Sequence, residues 1–154
     1  MHLLVEHGDL KIVKKRYYFI IPLYFFFIGC ISDGSYDEVL TSKYSLIGID
    51  GKNNMTISYN DGEGFIGVIN ATVFAVGVDN DYIIAKQHPR AEWPKVPNKK
   101  ITYYYIIPLK IKMTVLPNKN VIGPLTKNEF IAKRMDLGIS EKLSFTKVFK
   151  ELHE

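Results

Sequence analysis

Hydrophobic and polar residues change their spacing several times along the chain, and each change marks an element. Tyr44 to Ile49 is a short apolar run closed by Asp50-Gly51, and Met55-Thr56-Ile57-Ser58-Tyr59 alternates apolar with polar before Asp61-Gly62. Two strands joined by a turn are expected there. Phe65 to Ile69 and Thr72 to Val78 are more continuously apolar, the pattern of strands covered on both faces, and Asp79-Asn80-Asp81 closes the second as a turn. Tyr82 to Gln87 is a further strand, and Ile101 to Ile107 resumes strand character after a loop. Beyond Pro108, the residues Leu109, Ile111, Met113 and Val115 alternate with Lys110, Lys112 and Thr114, which predicts a strand with one buried and one solvated face. Pro117 to Asn120 supplies a turn before Val121-Ile122.

The period then lengthens. Thr126 with Glu129 three residues later forms a capping box, in which the hydroxyl accepts from a free helix amide and the carboxylate reaches back. The helix that starts there carries Phe130, Ile131, Arg134 and Met135 along one face, and Gly138 after Leu137 is a ready left-handed C-cap. Leu143, Phe145, Val148, Phe149 and Leu152 suit a final strand, a short helix, or one after the other. The pattern as a whole predicts an α+β domain over 43–154: a mainly antiparallel sheet of about five to seven strands with the C-terminal helix packed on it.

The first 29 residues follow another logic. Lys14-Lys15-Arg16 precedes the apolar run Tyr17 to Ile28, which is 12 residues long, whereas a helix needs about 20 to cross a bilayer. Basic cluster, short apolar run and small residue are the layout of a secretory signal. An uncleaved anchor and a buried core segment are the other readings of the run. Met1 to Asp9 holds two acids and two histidines ahead of the basic cluster, and translation is expected to start nearer Leu10 or Val13. Residues 31–41, with Ser32, Asp33, Gly34, Ser35, Asp37 and Glu38, hold few apolar side chains, so 30–42 reads as a flexible tether.

Composition changes the picture in two places. The formal charge of +4 includes Lys11, Lys14, Lys15 and Arg16 against Glu6 and Asp9, so the part after residue 29 keeps only a weak, dispersed positive charge. No basic stripe of the kind that nucleic acid requires is present. Cys30 is the only cysteine, which excludes an internal disulfide and leaves it free, intermolecular or modified.

Phe27-Ile28-Gly29-Cys30 resembles the lipobox of bacterial lipoproteins, with Phe27 standing where that signal usually has Leu. The resemblance implies cleavage between Gly29 and Cys30, a diacylglycerol on the Cys30 thiol, and a palmitate-type acyl chain on the new amine. Tyr82-Ile83-Ile84-Ala85-Lys86-Gln87, together with Ile122-Gly123-Pro124-Leu125-Thr126-Lys127-Asn128-Glu129-Phe130, is similar to a family of small uncharacterised lipoproteins of Gram-positive bacteria. This implies a protein held by lipid on the outer face of the cytoplasmic membrane, and it implies no activity.

Candidate chemistry is sparse. His88 and His153 are the histidines after residue 29, and neither has zinc ligands nearby in sequence, so both are expected at the surface and no metal or cofactor is expected. No phosphate loop, dinucleotide fingerprint or nucleophile elbow occurs, and Gly62, Gly64 and Gly67 suit a hairpin rather than a phosphate cradle. Residues 88–98 contain three prolines and the only tryptophan and must form a loop. His88, Arg90 and Trp93 there are the candidate partner-binding residues, although the preferred reading of Trp93 is that it folds back over one end of the sheet. Tyr103-Tyr104-Tyr105 is expected to put core on one side and surface on the other. The expected function is non-catalytic binding or a structural role, with an envelope protein or cell-wall component as partner. The alternative is a small envelope hydrolase whose site is assembled only in the fold.

Overall fold

Two antiparallel sheets stand where the strand pattern leads one to expect a single one. The computed structural model describes residues 34–91, 95–110 and 117–153. The first sheet is a meander of β1 (Tyr36–Val39), β2 (Tyr44–Gly48), β3 (Met55–Asn60) and β4 (Phe65–Ile69) in that order. The second is built from β5 (Val73–Val78), β6 (Tyr82–Gln87), β7 (Tyr103–Pro108) and β8 (Ile122–Leu125), followed in sequence by α1 (Lys127–Asp136), β9 (Lys147–Val148) and α2 (Lys150–His153). Its spatial order is β8-β7-β6-β5-β9.

The division follows from side-chain direction. In β6, Ile83 and Ala85 point one way and Ile84 the other, and all three are fully buried. A strand that is apolar on both faces needs two covers. The first sheet supplies one, with Leu46, Met55, Ile57 and Ile69 packing against Val73, Val76, Ile83, Ala85 and Ile107. The helix α1 and the segment after it supply the other, with Phe130, Ile139 and Leu143 on Ile84 and Ile106. The molecule therefore has three layers and two separate cores. Each aliphatic side chain so buried contributes about 2 kcal/mol.

Several expectations change for identifiable reasons. The stretch expected as a tether contains β1, because an edge strand needs backbone pairing more than apolar side chains: Tyr36 to Val39 pair with Gly48 to Ser45. β4 was expected to be covered on both faces, yet it is the free edge of its sheet and leaves Phe65 and Ile66 exposed. On α1 only Phe130 is buried, while Ile131 and Met135, four residues apart on a face about 100° round the helix from Phe130, point outward. The alternating strand expected over Leu109 to Val115 falls partly on residues 111–116, outside the described residues; Leu109 and Lys110 form a bend after β7. The C-terminal region is a strand followed by a helix.

Other details agree with the pattern. Thr126 and Glu129 close the capping box, with Glu129 Oε2 2.7 Å from the Thr126 amide. Gly138 takes a φ of 63°, and its amide and that of Ile139 donate to Met135 and Arg134, so the last carbonyls of α1 are satisfied. Gly77 is required by a crossing: a Cβ there would lie 2.0 Å from the Ser144 carbonyl oxygen.

Register gives the sandwich two distinct ends. At the entry end, where the chain runs into β1, lie Tyr36, Gly48, Met55, Val73, Gln87 and Tyr103. The far end holds Val39, Tyr44, Asn60, Val78, Tyr82 and Pro108, together with the turns between them.

Candidate functional site

The residues singled out in the sequence separate once their places are known. Gly29, Cys30 and Trp93 lie outside the described residues. His88 was expected at the surface and is instead buried, because the chain leaving β6 turns inward at Thr72. The two backbones exchange hydrogen bonds, Thr72 N to His88 O at 3.1 Å and His88 N to Thr72 O at 3.0 Å. The imidazole stacks on Phe74 with ring centroids 4.1 Å apart. Its Nδ1 lies 2.7 Å from the Ile101 carbonyl, so Nδ1 carries the proton and donates. Nε2 is buried with no partner among the described residues. Burial lowers the His88 pKa, the bond to Ile101 opposes this, and nearby His153 and Lys99 lower it further. A buried ring of this kind positions the loop and cannot itself touch a macromolecular partner.

Arg90 ties the same loop down. Its Nε donates to the Lys95 carbonyl at 2.8 Å, and Nη1 donates to Asn54 Oδ1 at 2.5 Å, linking the loop to the first sheet. The Asn98 amide donates to Pro89 O at 2.8 Å and closes the base. Beside it a pocket of about 550 Å³ opens between Asn70, Gln87, Arg90, Lys95 and Tyr103 at the entry end.

The larger concavity, of about 850 Å³, lies at the far end between two rigid turns. One lip is the β1–β2 turn, where Thr41 Oγ1 accepts from the Tyr44 amide at 3.1 Å and Leu40 N donates to Tyr44 O at 2.8 Å. The other is Asp79-Asn80-Asp81, where Asp79 Oδ1 accepts from the amides of Asp81 and Tyr82 at 2.8 and 2.7 Å. Side chains that short and that close to the backbone make turns rather than ligand sites. Tyr44 and Tyr59, cross-strand partners on β2 and β3, meet edge to face at 5.3 Å between the lips. Lys43 Nζ donates to the Tyr59 hydroxyl at 3.2 Å. Burial, and then Tyr59 itself, push the Tyr44 hydroxyl up to about 12, so it stays a neutral donor at physiological pH.

A family model described as a protein of unknown function, DUF3997, matches residues 41–149. The chain belongs to this family. No curated protein and no solved structure matches it. The DUF3997 match starts at Thr41 in the first lip of the concavity, so the second lip, both tyrosines and all of the first lip except Leu40 lie within it, whereas β1 and α2 flank it.

The concavity is not evident in the sequence because Tyr44 and Tyr59 read as ordinary strand residues. The usable signal was their symmetric placement about the β2–β3 hairpin, which makes them direct cross-strand partners. The tyrosine run divides differently from expectation: Tyr105 packs on the core between the sheets and Tyr104 on the helix side, where its ring lies 4.9 Å from Phe130. Among the described residues no group of three metal-ligating side chains forms, and no helix is long and apolar enough to cross a membrane. What the far-end concavity offers chemically is the Lys43 side-chain nitrogen, two phenol hydroxyls and the amide and hydroxyl groups of its lips, over aromatic rings. Such groups can donate and accept hydrogen bonds and stack on planar groups.

Proposed function

We propose that the chain is a lipoprotein of the Gram-positive envelope, anchored by lipid on Cys30 to the outer face of the cytoplasmic membrane, and that it binds an envelope protein or cell-wall component without transforming it. The observation that carries the binding role is the preformed concavity between the β1–β2 and β5–β6 turns, floored by Tyr44 and Tyr59. Its lips are held by their own hydrogen bonds, so a partner pays little ordering cost on entry. The anchor is supported by the basic cluster at Lys14 to Arg16, the short apolar run and Gly29-Cys30.

The alternative, an envelope hydrolase, needs a base paired with a nucleophile. His88 is a poor base in this role, with Nδ1 committed to Ile101 and the ring packed on Phe74. Two experiments separate the readings. Palmitate labelling is expected to disappear in Cys30→Ser, and labelling that persists removes the anchor. A photo-crosslinking residue at exposed Ser42, in the full lipidated chain in native membranes, is expected to trap one discrete partner, and Asn80→Arg on the opposite lip is expected to abolish the adduct. Turnover of a cell-wall fragment that Lys43→Ala eliminates would instead establish the enzyme.

A further inference from the structure

We propose that the entry end of the sandwich rests on the anionic phospholipid surface to which the chain is anchored, so that the far-end concavity points away from the membrane. The proposal depends on the lipid anchor at Cys30 argued above.

Reach is the first argument. Five residues separate Cys30 from Tyr36, and the six Cα-to-Cα steps between them span at most about 20 Å when fully extended. Tyr36 begins β1 opposite Gly48, at the entry end. An anchor so close to this end brings it to the headgroups, and the far end could reach them only if the linker lay straight back along the sheet.

Charge is the second. The connections at the entry end carry Lys52, Arg90, Lys95, Lys99, Lys100 and Lys150 against Asp50 and Glu151 among the described residues. Glu92 and Glu154 in the same stretches lie outside those residues and still leave the balance positive. Lys52 is paired with Glu151 at 2.6 Å. The turns of the far end are close to neutral: Asp61, Glu63, Asp79 and Asp81 stand against Lys43, Lys110 and Lys119 among the described residues, and Lys112 belongs to the same connection outside them. A molecule polarised in this way is drawn to an anionic leaflet by the end that the anchor already holds there. Exposed aliphatic residues at the entry end, Ile49 at 67%, Val96 at 56% and Ile101 at 40%, add apolar contact at headgroup depth. Val39 and Phe65 are exposed at the far end as well, so apolar exposure alone does not choose between the ends; reach and charge do.

The occupant is thus a lipid surface, and depth-dependent quenching tests it. Full-length protein lipidated in a bacterial host leaves only an introduced thiol free for labelling. A fluorophore is placed at Lys100→Cys or at Asp61→Cys, and each protein is reconstituted in vesicles containing brominated lipids, with or without phosphatidylglycerol. The expected result is strong quenching at position 100 with phosphatidylglycerol present, weaker quenching in phosphatidylcholine alone, little at position 61 in either, and a loss at position 100 on adding Lys95→Glu. Circular dichroism verifies that the variants fold. Co-flotation with equal quenching at the two positions, or no dependence on phosphatidylglycerol, overturns the docking and leaves the anchor standing. Failure to float with the vesicles overturns both. Crosslinking from position 100 to a second copy or to another protein, without quenching by lipid, assigns this end to a protein interface and also overturns the docking.

Discussion

His88 and Phe74 lie with their rings stacked at 4.1 Å and only 12° from parallel, so the loop after β6 is pinned to the strand beside it by two planar side chains. The ring is held neutral by burial, and this makes stability depend on pH with a definite sign. The folded-state pKa is depressed, so on acidification through about 6.5 the unfolded chain takes up a proton that the folded chain refuses. Stability is therefore lost as pH falls below that value, and above it His88 contributes no pH dependence. Melting curves from about pH 7.5 to about pH 5 are expected to show a shallower acid slope in His88→Phe than in the parent. The variant also loses the bond to Ile101 at every pH, so only the slope is informative. An unchanged slope would show that the ring is not held neutral.

Gly77→Ala tests the crossing over the second sheet. The added methyl would meet the Ser144 carbonyl at 2.0 Å, and a backbone oxygen cannot swing aside as a flexible side chain can. A loss of about 3 kcal/mol is expected in urea denaturation, at the upper end of ordinary overpacking. A change within experimental error would mean that the segment from Leu143 to Thr146 moves freely off the sheet.

Thr126→Ala removes the hydroxyl that accepts the Glu129 amide and is expected to cost about 1 kcal/mol. Ile131→Ser, one turn further on, is expected to change stability by no more than about 0.5 kcal/mol, because the residue faces solvent. Denaturation of the pair separates the cap from the helix face. A large loss in the Ile131 variant would place that side chain in a contact the fold does not provide.

Phe74→Ala empties the junction between the sheets and α2, since Phe74 is fully buried and touches both His88 and His153. A loss of about 4 kcal/mol is expected by calorimetry. Val39→Ser, at an exposed edge position, serves as the comparison and is expected to be near neutral.

These contrasts show what one sequence reveals and what it hides. The strands β2 to β7, the Asp79 turn, the capping box and the Gly138 cap are local patterns, governed by alternation, turn chemistry and amide satisfaction within a few residues, and all are legible. Whether strands join in one sheet or two is decided by residues far apart, such as Ile57 and Val76, and period-2 alternation is blind to it. β1 is hidden for a related reason: Asp37 and Glu38 look like linker, yet Glu38 pairs with Lys147, more than a hundred positions later in the chain. His88 reads as a surface residue because histidine beside proline at a strand end usually is one. Its burial comes from Thr72, sixteen positions earlier. The concavity of Tyr44 and Tyr59 needs the β5–β6 turn as its second wall, which no sequence window contains.

The contact between Glu38 on the first strand and Lys147 on the last, with the Tyr36 and Phe149 rings meeting edge to face at 5.4 Å, also bears on the order of assembly. Both sheets can pair their inner strands as the chain emerges, but the side of the sandwich that these residues seal stays open until the final few residues arrive. A chain truncated after Thr146 would thus keep the pairing of β1 to β8 and still expose the seam between its layers to any protease present.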